Sequence, residues 1–236
     1  VDLVDPYVDL YKIGSGDITW LEIIDYILGK NKPVLIATGA STNEDVSRVM
    51  KIALKKTQDI VLMQCNTNYT GSIDNYNYCN LNVLKQFSID YPNTVLGLSD
   101  HTAGHATTLG AIALGARVIE KHFTDDNNQE GPDHGFAMNP QTWRDMVDRS
   151  YELLVSLGDG VKIVEKNEEQ SKLVQRRCLR VKTNLKKGHI LLGSDLISLR
   201  PISEEGFDPF EKINLIGKEL LVDIEAGEHL TKKIVK

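Results

Sequence analysis

Residues 93–105 read NTVLGLSDHTAGH, and residues 116–125 read ARVIEKHFTD. Each stretch begins with an apolar run of strand length and then reaches a histidine beside carboxylates, His101 in the first and His122 in the second. Five such β-like runs begin 23, 27, 34 and 23 residues apart: DLYKIGSG (9–16), KPVLIATG (32–39), DIVLMQC (59–65), NTVLGLSD (93–100) and ARVIEKHF (116–123). This spacing leaves room for a helix between strands, which predicts right-handed βαβ units and a parallel sheet.

Helical periodicity in most of the intervening segments supports this prediction. The apolar stripes are Trp20, Ile23, Ile24 and Ile27; Val46, Val49, Met50 and Ala53; and, in a final helix over about 140–157, Trp143, Met146, Val147, Tyr151 and Leu154. Ser41 or Thr42 precedes two acidic residues and is a candidate N-cap. Polar side chains follow each strand, at the edge that carries the chemistry in (βα)8 barrels and open α/β sheets. Five units make an incomplete (βα)8 barrel.

The composition and pattern of the sequence change after Gly158. Residues 159–175 are charged and predict a linker, whereas residues 176–236 predict a small β-rich module of short strands. Within that module, NLKKGHILLGSDL (184–196) resembles DIEAGEHLTKKIV (223–235), and each segment has a glycine that suits a hairpin turn. We therefore predict an α/β fold with a barrel portion at 1–158, a linker and a second domain at 176–236.

Charge and cysteine usage exclude several classes of partner. The net charge of −6 argues against nucleic acid, which normally requires a basic face. No apolar run approaches the roughly 20 residues of a membrane span, and the three scattered cysteines form no disulfide framework or zinc pattern. We expect a cytoplasmic protein without a membrane partner. Because the chain lacks an initiating Met and soon enters a strand, we expect it to be a segment of something longer.

The two histidines are candidate metal ligands. Neighbouring strands lie about 4.8 Å apart, so imidazoles at the ends of adjacent strands can share a cation if both point inward. Imidazole binds Mn, Fe, Co, Ni or Zn, and nearby carboxylates favour a harder ion. The alternative is that both are ordinary histidines at loop edges.

Three other segments are candidate parts of a site. Lys12 lies inside a strand and is expected to meet a carboxylate or phosphate, or else to extend to water. Ser15 between two glycines resembles an anion-binding turn. QCNTNYTGS (64–72) is polar enough for a sugar or a phosphate, although its Cys65 is more simply a small buried side chain. EGPDHGF (130–136) places Asp133 on a turn, where it is a candidate site residue; the alternative is that this segment is only a connecting loop.

Taken in order, YKIGSGD, IATGAST, LSDHT, EKHFT and EGPDH resemble the N-acetylneuraminate (sialic acid) synthase family. RRCLRVKTNLKKGHIL, LISLRP and IGKELLVDIEAGE resemble that family's antifreeze-like (SAF) domain. The resemblance covers essentially the whole chain. It implies a (βα)8 barrel of which this chain has strands four to eight, followed by the β-rich SAF domain.

The family condenses phosphoenolpyruvate with an N-acyl hexosamine aldehyde, releases phosphate and forms a nine-carbon 2-keto-3-deoxy sugar acid for surface polysaccharides or glycans. The resemblance implies a metal-dependent transferase. Its catalytic residues would be Lys12, Asp17, His101 and His122, with both histidines binding Mn²⁺, or alternatively Mg²⁺ or Co²⁺. The substrate-binding residues would be Ser15, Thr67, Tyr69, Ser99, Asp133 and Arg200. Arg200 would reach the neighbouring barrel of a domain-swapped homodimer and touch the acyl group.

Two positions depart from the family's pattern. Asp17 stands where Glu is common, and Thr67 stands where Asn is frequent. Both lie where sugar or phosphate is held, so N-acetylmannosamine and legionaminate- or pseudaminate-type precursors all stay open as substrates. The family's first-strand Glu and second-strand Lys have no counterpart here, so we expect the segment alone to be inactive. Other readings are a metal-dependent aldolase or epimerase on the same barrel, or an incomplete fragment that only binds carbohydrate.

Overall fold

Five parallel strands lie side by side in chain order, and the computed structural model describes all of residues 1–236. The strands are β1 (Tyr11–Ile13), β2 (Val34–Ala37), β3 (Ile60–Cys65), β4 (Val95–Asp100) and β5 (Val118–Lys121). One helix follows each strand: α1 (Leu21–Leu28), α2 (Asn43–Lys56), α3 (Val83–Asp90), α4 (Ala106–Ala113) and α5 (Pro140–Ser156). The predicted βαβ order and parallel pairing are confirmed. All five strands and helices belong to a compact unit that spans Val1–Gly160.

The core of this unit lies between the sheet and the helices. Val46, Val49, Met50 and Ala53 of α2 are buried, as their spacing predicts. Thr42 caps this helix in a reciprocal pair with Asp45, which confirms the second of the two N-cap candidates.

Two predicted apolar stripes are only partly buried. Trp20 precedes α1 and is 55% exposed, because the helix begins one residue later than the stripe. In α5 only Met146 is buried, whereas Val147, Tyr151 and Leu154 are exposed. The reason is that β5 is an edge strand, so α5 has a helical neighbour, α4, on one side only within this unit.

The sheet curls into half of a barrel. Its two edge strands would lie about 19 Å apart if four strand spacings were laid flat. Instead, the ammonium of Lys12 in β1 lies 2.8 Å from a carboxylate oxygen of Glu120 in β5. An ion pair between the outermost strands requires strong curvature, and it places both side chains on the concave face.

A second compact unit spans Val161–Lys236. Its elements are α6 (Glu169–Gln175), the antiparallel strands β6 (Cys178–Val181) and β7 (Leu196–Leu199), and α7 (Lys212–Leu215). The last seven residues of the predicted linker thus form a helix of this unit. None of the helices in the structure combines the length and the apolar content required to span a bilayer.

The internal repeat of the second unit has a structural counterpart. Leu185 and Ile224, thirty-nine residues apart, exchange backbone hydrogen bonds with each other. Gly188 and Gly227 have the same separation, and both adopt left-handed φ angles of 86° and 87°. The two halves therefore pair about a local pseudo-twofold axis. Their relation to an antifreeze-like domain stays a prediction.

Candidate active site

Side chains alternate between two faces at the ends of β4 and β5. Ser99 is paired in register with Glu120, and Asp100 is paired with Lys121. Because successive side chains of a strand point to opposite faces, Ser99 and Glu120 share the concave face, whereas Asp100 and Lys121 share the helical face. A cavity of about 230 Å³ lies at this end of the two strands.

The helical face holds a buried ion pair. Nζ of Lys121 lies 2.5 Å from Oδ2 of Asp100, and the two side chains are 1% and 4% exposed. The carboxylate also accepts hydrogen bonds from the hydroxyls of Thr102 and Thr107, and Nζ of Lys121 donates to the carbonyl of Thr102. The pair joins the ends of β4 and β5 directly beneath the two histidines.

The histidine rings come together on the opposite side of this pair. His101 and His122 have ring centroids 5.1 Å apart, and Tyr69 lies edge-on at 4.3 Å from the first ring and 5.6 Å from the second. Phe136 packs against His122 with a centroid distance of 5.2 Å. The structure thus brings three of the predicted site residues into mutual contact.

Each imidazole has its Nδ1 beside an oxygen atom. Nδ1 of His101 lies 3.0 Å from the backbone carbonyl of Asn66, and Nδ1 of His122 lies 3.4 Å from a carboxylate oxygen of Asp133. Oxygen partners of this kind orient metal-binding histidines in proteins and leave Nε2 for the metal. Burial lowers the pKa of His122, which favours the neutral ring that a metal requires. Burial also acts to lower the pKa of His101, but interactions with Cys65 and the carbonyl of Asn66 outweigh it and raise this pKa, so a metal would have to displace a proton there.

Glu120 is a residue of the site that the motif analysis did not select. Its carboxylate is paired with Lys12 at 2.8 Å, although the two groups are not aligned as a hydrogen bond. Burial raises the pKa of Glu120, but the adjacent Lys12 ammonium and Ser99 hydroxyl favour the ionised carboxylate, outweigh burial and hold this pKa below its usual value. Lys12 therefore meets a carboxylate, one of the partners expected for an inward-pointing lysine.

A second polar cluster surrounds Gly39, just past the end of β2. The backbone N–H of Gly39 donates to the hydroxyl of Ser15 at 3.0 Å. A Cβ atom at this position would lie 1.7 Å from Oγ1 of Thr67, 2.8 Å from Oγ of Ser15 and 2.9 Å from Sγ of Cys65. Only glycine therefore permits these three side chains to converge here.

Cys65 links the two clusters. It is buried, as predicted, and its sulfur lies 3.9 Å from Nδ1 of His101 and 3.6 Å from the hydroxyl of Thr67. Burial raises the pKa of this thiol, but hydrogen bonds from His101, Ser15 and Thr67 outweigh burial and lower it. The thiol has a histidine partner that its local sequence did not reveal, because His101 is thirty-six residues away.

Two other predicted site residues are exposed within their own units. Asp17 is exposed in a short 3₁₀ turn after β1. Arg200 is exposed in the second unit, where its Nε donates to the carbonyl of Gln175 at 2.5 Å.

The donor set fits a divalent metal held only in part by protein. No group of three or more His, Cys, Asp or Glu side chains converges in the structure. His101 and His122 nevertheless offer two oriented imidazoles, and metals in catalytic sites keep positions open for water or substrate. The two histidines thus fit an ion whose other ligands are water and substrate oxygens.

Comparison with known proteins assigns the fold and this arrangement of motifs to a family. The model of the NeuB family matches residues 1–162. The chain belongs to the NeuB family. It is 34% identical over 206 residues to N,N'-diacetyllegionaminic acid synthase from Campylobacter jejuni, a match that covers 85% of this chain and 60% of that protein. It is 27% identical over 229 residues to N-acetylneuraminate-9-phosphate synthase from Homo sapiens, covering 97% and 62%.

A solved structure is similar as well. N-acetylneuraminic acid (sialic acid) synthetase from Leptospira borgpetersenii, crystallised with citrate, matches with a TM-score of 0.64 and 25% identity over 70% of this chain and 56% of that chain. The NeuB family member described here spans about 60% of the length of the curated relatives it matches. The expected membership in the sialic acid synthase family is confirmed.

Proposed function

We propose that this NeuB protein forms part of a synthase that condenses phosphoenolpyruvate with an N-acyl amino-sugar aldehyde. A carbon–carbon bond forms between C3 of phosphoenolpyruvate and the aldehyde carbon, the aldehyde oxygen takes up a proton, and water adds at C2. Loss of phosphate from C2 then leaves the keto group of a nine-carbon 2-keto-3-deoxy sugar acid. The observation that carries the proposal is the convergence of His101 and His122 at the end of a half-barrel whose concave face holds Lys12. The names of the relatives support it, since they include synthases of legionaminic and N-acetylneuraminic acids.

Lys12, Ser15 and Ser99 would bind phosphoenolpyruvate. A lysine ammonium and two hydroxyls can donate charge-assisted hydrogen bonds to phosphate and carboxylate oxygens. Lys12 is already held by Glu120, so its ammonium is oriented before substrate arrives. Holding the enol in a fixed position beside the aldehyde can supply several kcal/mol of the barrier reduction, on the order of 7–11 for ideal orientation.

His101 and His122 would hold a divalent metal, for which Mn²⁺ is our first choice. When bound, such an ion acts as a Lewis acid that polarises the aldehyde oxygen of the sugar. The backbone carbonyl of Asn66 and the carboxylate of Asp133 would orient the two imidazoles, and the ring of Tyr69 packs against both of them. Tyr69 and Asp133, together with Thr67 and the exposed Asp17, would contact the sugar.

The assembly and location of the protein are also proposals. Arg200 would contact the acyl group of a sugar bound by a second copy of the chain, which makes a domain-swapped homodimer. The three cysteines are all free and buried, and such usage fits a reducing, cytoplasmic compartment.

The proposed reaction is tested by phosphate release. The complete polypeptide that carries these 236 residues is incubated with phosphoenolpyruvate and an amino sugar, with and without EDTA and added Mn²⁺. We expect sugar-dependent release that EDTA abolishes and Mn²⁺ restores. Full activity in excess chelator would exclude the metal. Activity with pyruvate in place of phosphoenolpyruvate, without phosphate release, would instead identify an aldolase.

Replacing either His101 or His122 by alanine should lower Mn²⁺ affinity and turnover together. Loss of one of two protein ligands removes half of the imidazole donors, so we expect at least about a tenfold weaker affinity for Mn²⁺. Binding is measured by titration calorimetry without substrates, and turnover by phosphate release. His105→Ala is the matched control, because His105 lies beyond β4 near Asp145 and outside the pair. Unchanged Mn²⁺ affinity in both variants would contradict the assignment.

A further inference from the structure

The loop after β5, residues 122–139, starts and ends at the same place. The backbone N–H of Met138 donates to the carbonyl of His122 at 2.8 Å, and the N–H of Thr124 donates to the carbonyl of Met138 at 2.8 Å. The two ends of this β5 loop therefore lie side by side, as in compact Ω-loops. The loop thus returns to the histidine from which it starts.

Two residues of the β5 loop contact the ring of His122. A carboxylate oxygen of Asp133 lies 3.4 Å from Nδ1, and the ring of Phe136 packs at a centroid distance of 5.2 Å. An acceptor beside one ring nitrogen determines which nitrogen carries the proton, and a packed ring restricts rotation of the imidazole. The orientation of His122 therefore depends on where the loop places Asp133 and Phe136.

The side-chain amide of Asn127 holds the backbone next to both of these residues. Its Nδ2 donates to the carbonyl of His134 at 2.8 Å and to the carbonyl of Ala137 at 2.9 Å. His134 directly follows Asp133, and Ala137 directly follows Phe136. Only the NH₂ group of an amide can donate to two carbonyls, so these partners also determine which end of the amide faces them.

The other end of the same amide connects the loop to α5. Oδ1 of Asn127 accepts a hydrogen bond from Nδ2 of Asn139 at 2.9 Å. Asn139 in turn caps α5, because its Oδ1 accepts from the N–H of Thr142 at 2.9 Å. One side chain thus links the backbone beside Asp133 and Phe136 to the first turn of a helix.

The neighbouring Asn128 is held differently. It is exposed, and its backbone N–H and its Nδ2 donate to the same carboxylate oxygen of Asp126 at 2.9 and 3.0 Å. These bonds are local, within three consecutive residues. Asn128 therefore offers a control with the same side chain in the same loop.

We propose that Asn127 is a positioning residue that fixes the ring of His122 by holding Asp133 and Phe136 of the same loop against it. The inference rests on the proposed function and extends it, because the orientation of the ring affects the reaction when His122 holds the metal. In the metal-free protein, the neutral ring should carry its proton on Nδ1, facing Asp133, and leave Nε2 free. Partners that orient a metal-binding histidine in this way contribute about 10–100-fold to metal affinity.

The test compares Asn127→Asp with Asn128→Asp in the complete polypeptide. Asn127→Asp keeps the shape of the side chain but turns an oxygen towards the carbonyls of His134 and Ala137, so both hydrogen bonds are lost. Asn128→Asp adds the same charge one residue along. Nitrogen-15 NMR of the metal-free protein, above the usual histidine pKa, shows which imidazole nitrogen carries the proton, and His122→Ala identifies the signals.

We expect the unmodified protein and Asn128→Asp to show a single tautomer of His122, protonated at Nδ1. Asn127→Asp should give a mixture of the two neutral tautomers and bind Mn²⁺ at least about tenfold more weakly in titration calorimetry without substrates. Asn127→Ala should have the same effects without an added charge. Thermal unfolding shows which variants are folded under the conditions of the measurements.

A folded Asn127 variant that keeps either the single tautomer or the normal Mn²⁺ affinity would overturn the inference. Equal effects of Asn128→Asp, or a mixture of tautomers in the unmodified protein, would overturn it too. The tautomer measurement requires neither metal nor substrate. Failure of the unmodified enzyme to bind Mn²⁺ and release phosphate would therefore contradict the proposed function, while a single tautomer that Asn127→Asp disrupts would still assign Asn127 its role in orienting His122.

Discussion

Asp100→Ala is expected to destabilise the chain by about 3–5 kcal/mol, because it leaves a buried ammonium without its counter-ion. Nζ of Lys121 would keep only the carbonyl of Thr102 as a partner. The reverse change, Lys121→Ala, should cost less within the same range, because the carboxylate keeps hydrogen bonds from Thr102 and Thr107. Urea-induced unfolding followed by circular dichroism measures both free energies.

Two further variants separate this effect from simple loss of charge. Asp100→Leu combined with Lys121→Met should recover most of the lost stability, because an apolar pair of similar volume avoids the desolvation of both ions. Asp148→Ala breaks an exposed pair with Arg144 in α5 and should cost only about 0–1 kcal/mol. If Asp100→Ala costs no more than Asp148→Ala, the pair at the ends of β4 and β5 does not stabilise the fold.

In the complete polypeptide, Gly39→Ala is expected to lower kcat/KM of the proposed reaction by about a hundredfold, because misplacing a site by about 1 Å can have this effect. The new methyl group would lie 1.7 Å from the hydroxyl of Thr67, so Thr67, Ser15 or the β2 loop must move. Overpacking should also cost about 1–3 kcal/mol of stability. Phosphate release gives the rate, and thermal unfolding shows that the variant is folded under the assay conditions.

Gly16→Ala is the matched control for this change. Gly16 follows Ser15 directly, but a Cβ there would have no neighbour within 4 Å. We expect its kcat/KM to stay within about twofold of the unmodified enzyme, as is usual for a surface change away from such features. A folded Gly39→Ala enzyme with normal kcat/KM would show that the cluster of Ser15, Thr67 and Cys65 tolerates displacement and does not hold substrate.

The sequence predicted the parts of the structure that depend on local pattern. Regular spacing of apolar runs gave the parallel βαβ order, and the histidines that follow β4 and β5 were found from their position alone. The curl of the sheet does not follow from this spacing, which fits an open sheet as well as a barrel, and the family resemblance was needed to predict it. The contact between Lys12 and Glu120, which are 108 residues apart along the chain, shows the curl in the structure.

The sequence analysis also missed site residues whose role depends on the strand register or on a partner distant in the sequence. Glu120 and Lys121 are adjacent charges in a strand, and a single sequence does not say which of them lies on the concave face. The pairing of Ser99 with Glu120 settles the question in the structure. Likewise, the sequence around Cys65 showed no activating partner, because His101 follows a different strand, β4. For α5 the sequence predicted too much burial. Helical periodicity identifies an apolar face, but it does not say whether a neighbouring element covers that face.

The division of β4 and β5 into two faces limits how these strands can change length. Inserting or deleting one residue within either strand would exchange the two faces of the strand beyond that point. A histidine would then point towards the helices, and Asp100 or Lys121 would point to the concave face. Such a change would disrupt both the buried ion pair and the proposed metal site. Only even-numbered insertions or deletions keep each group on its own side, so variation in this part of the molecule is expected in the loops and not in the strands.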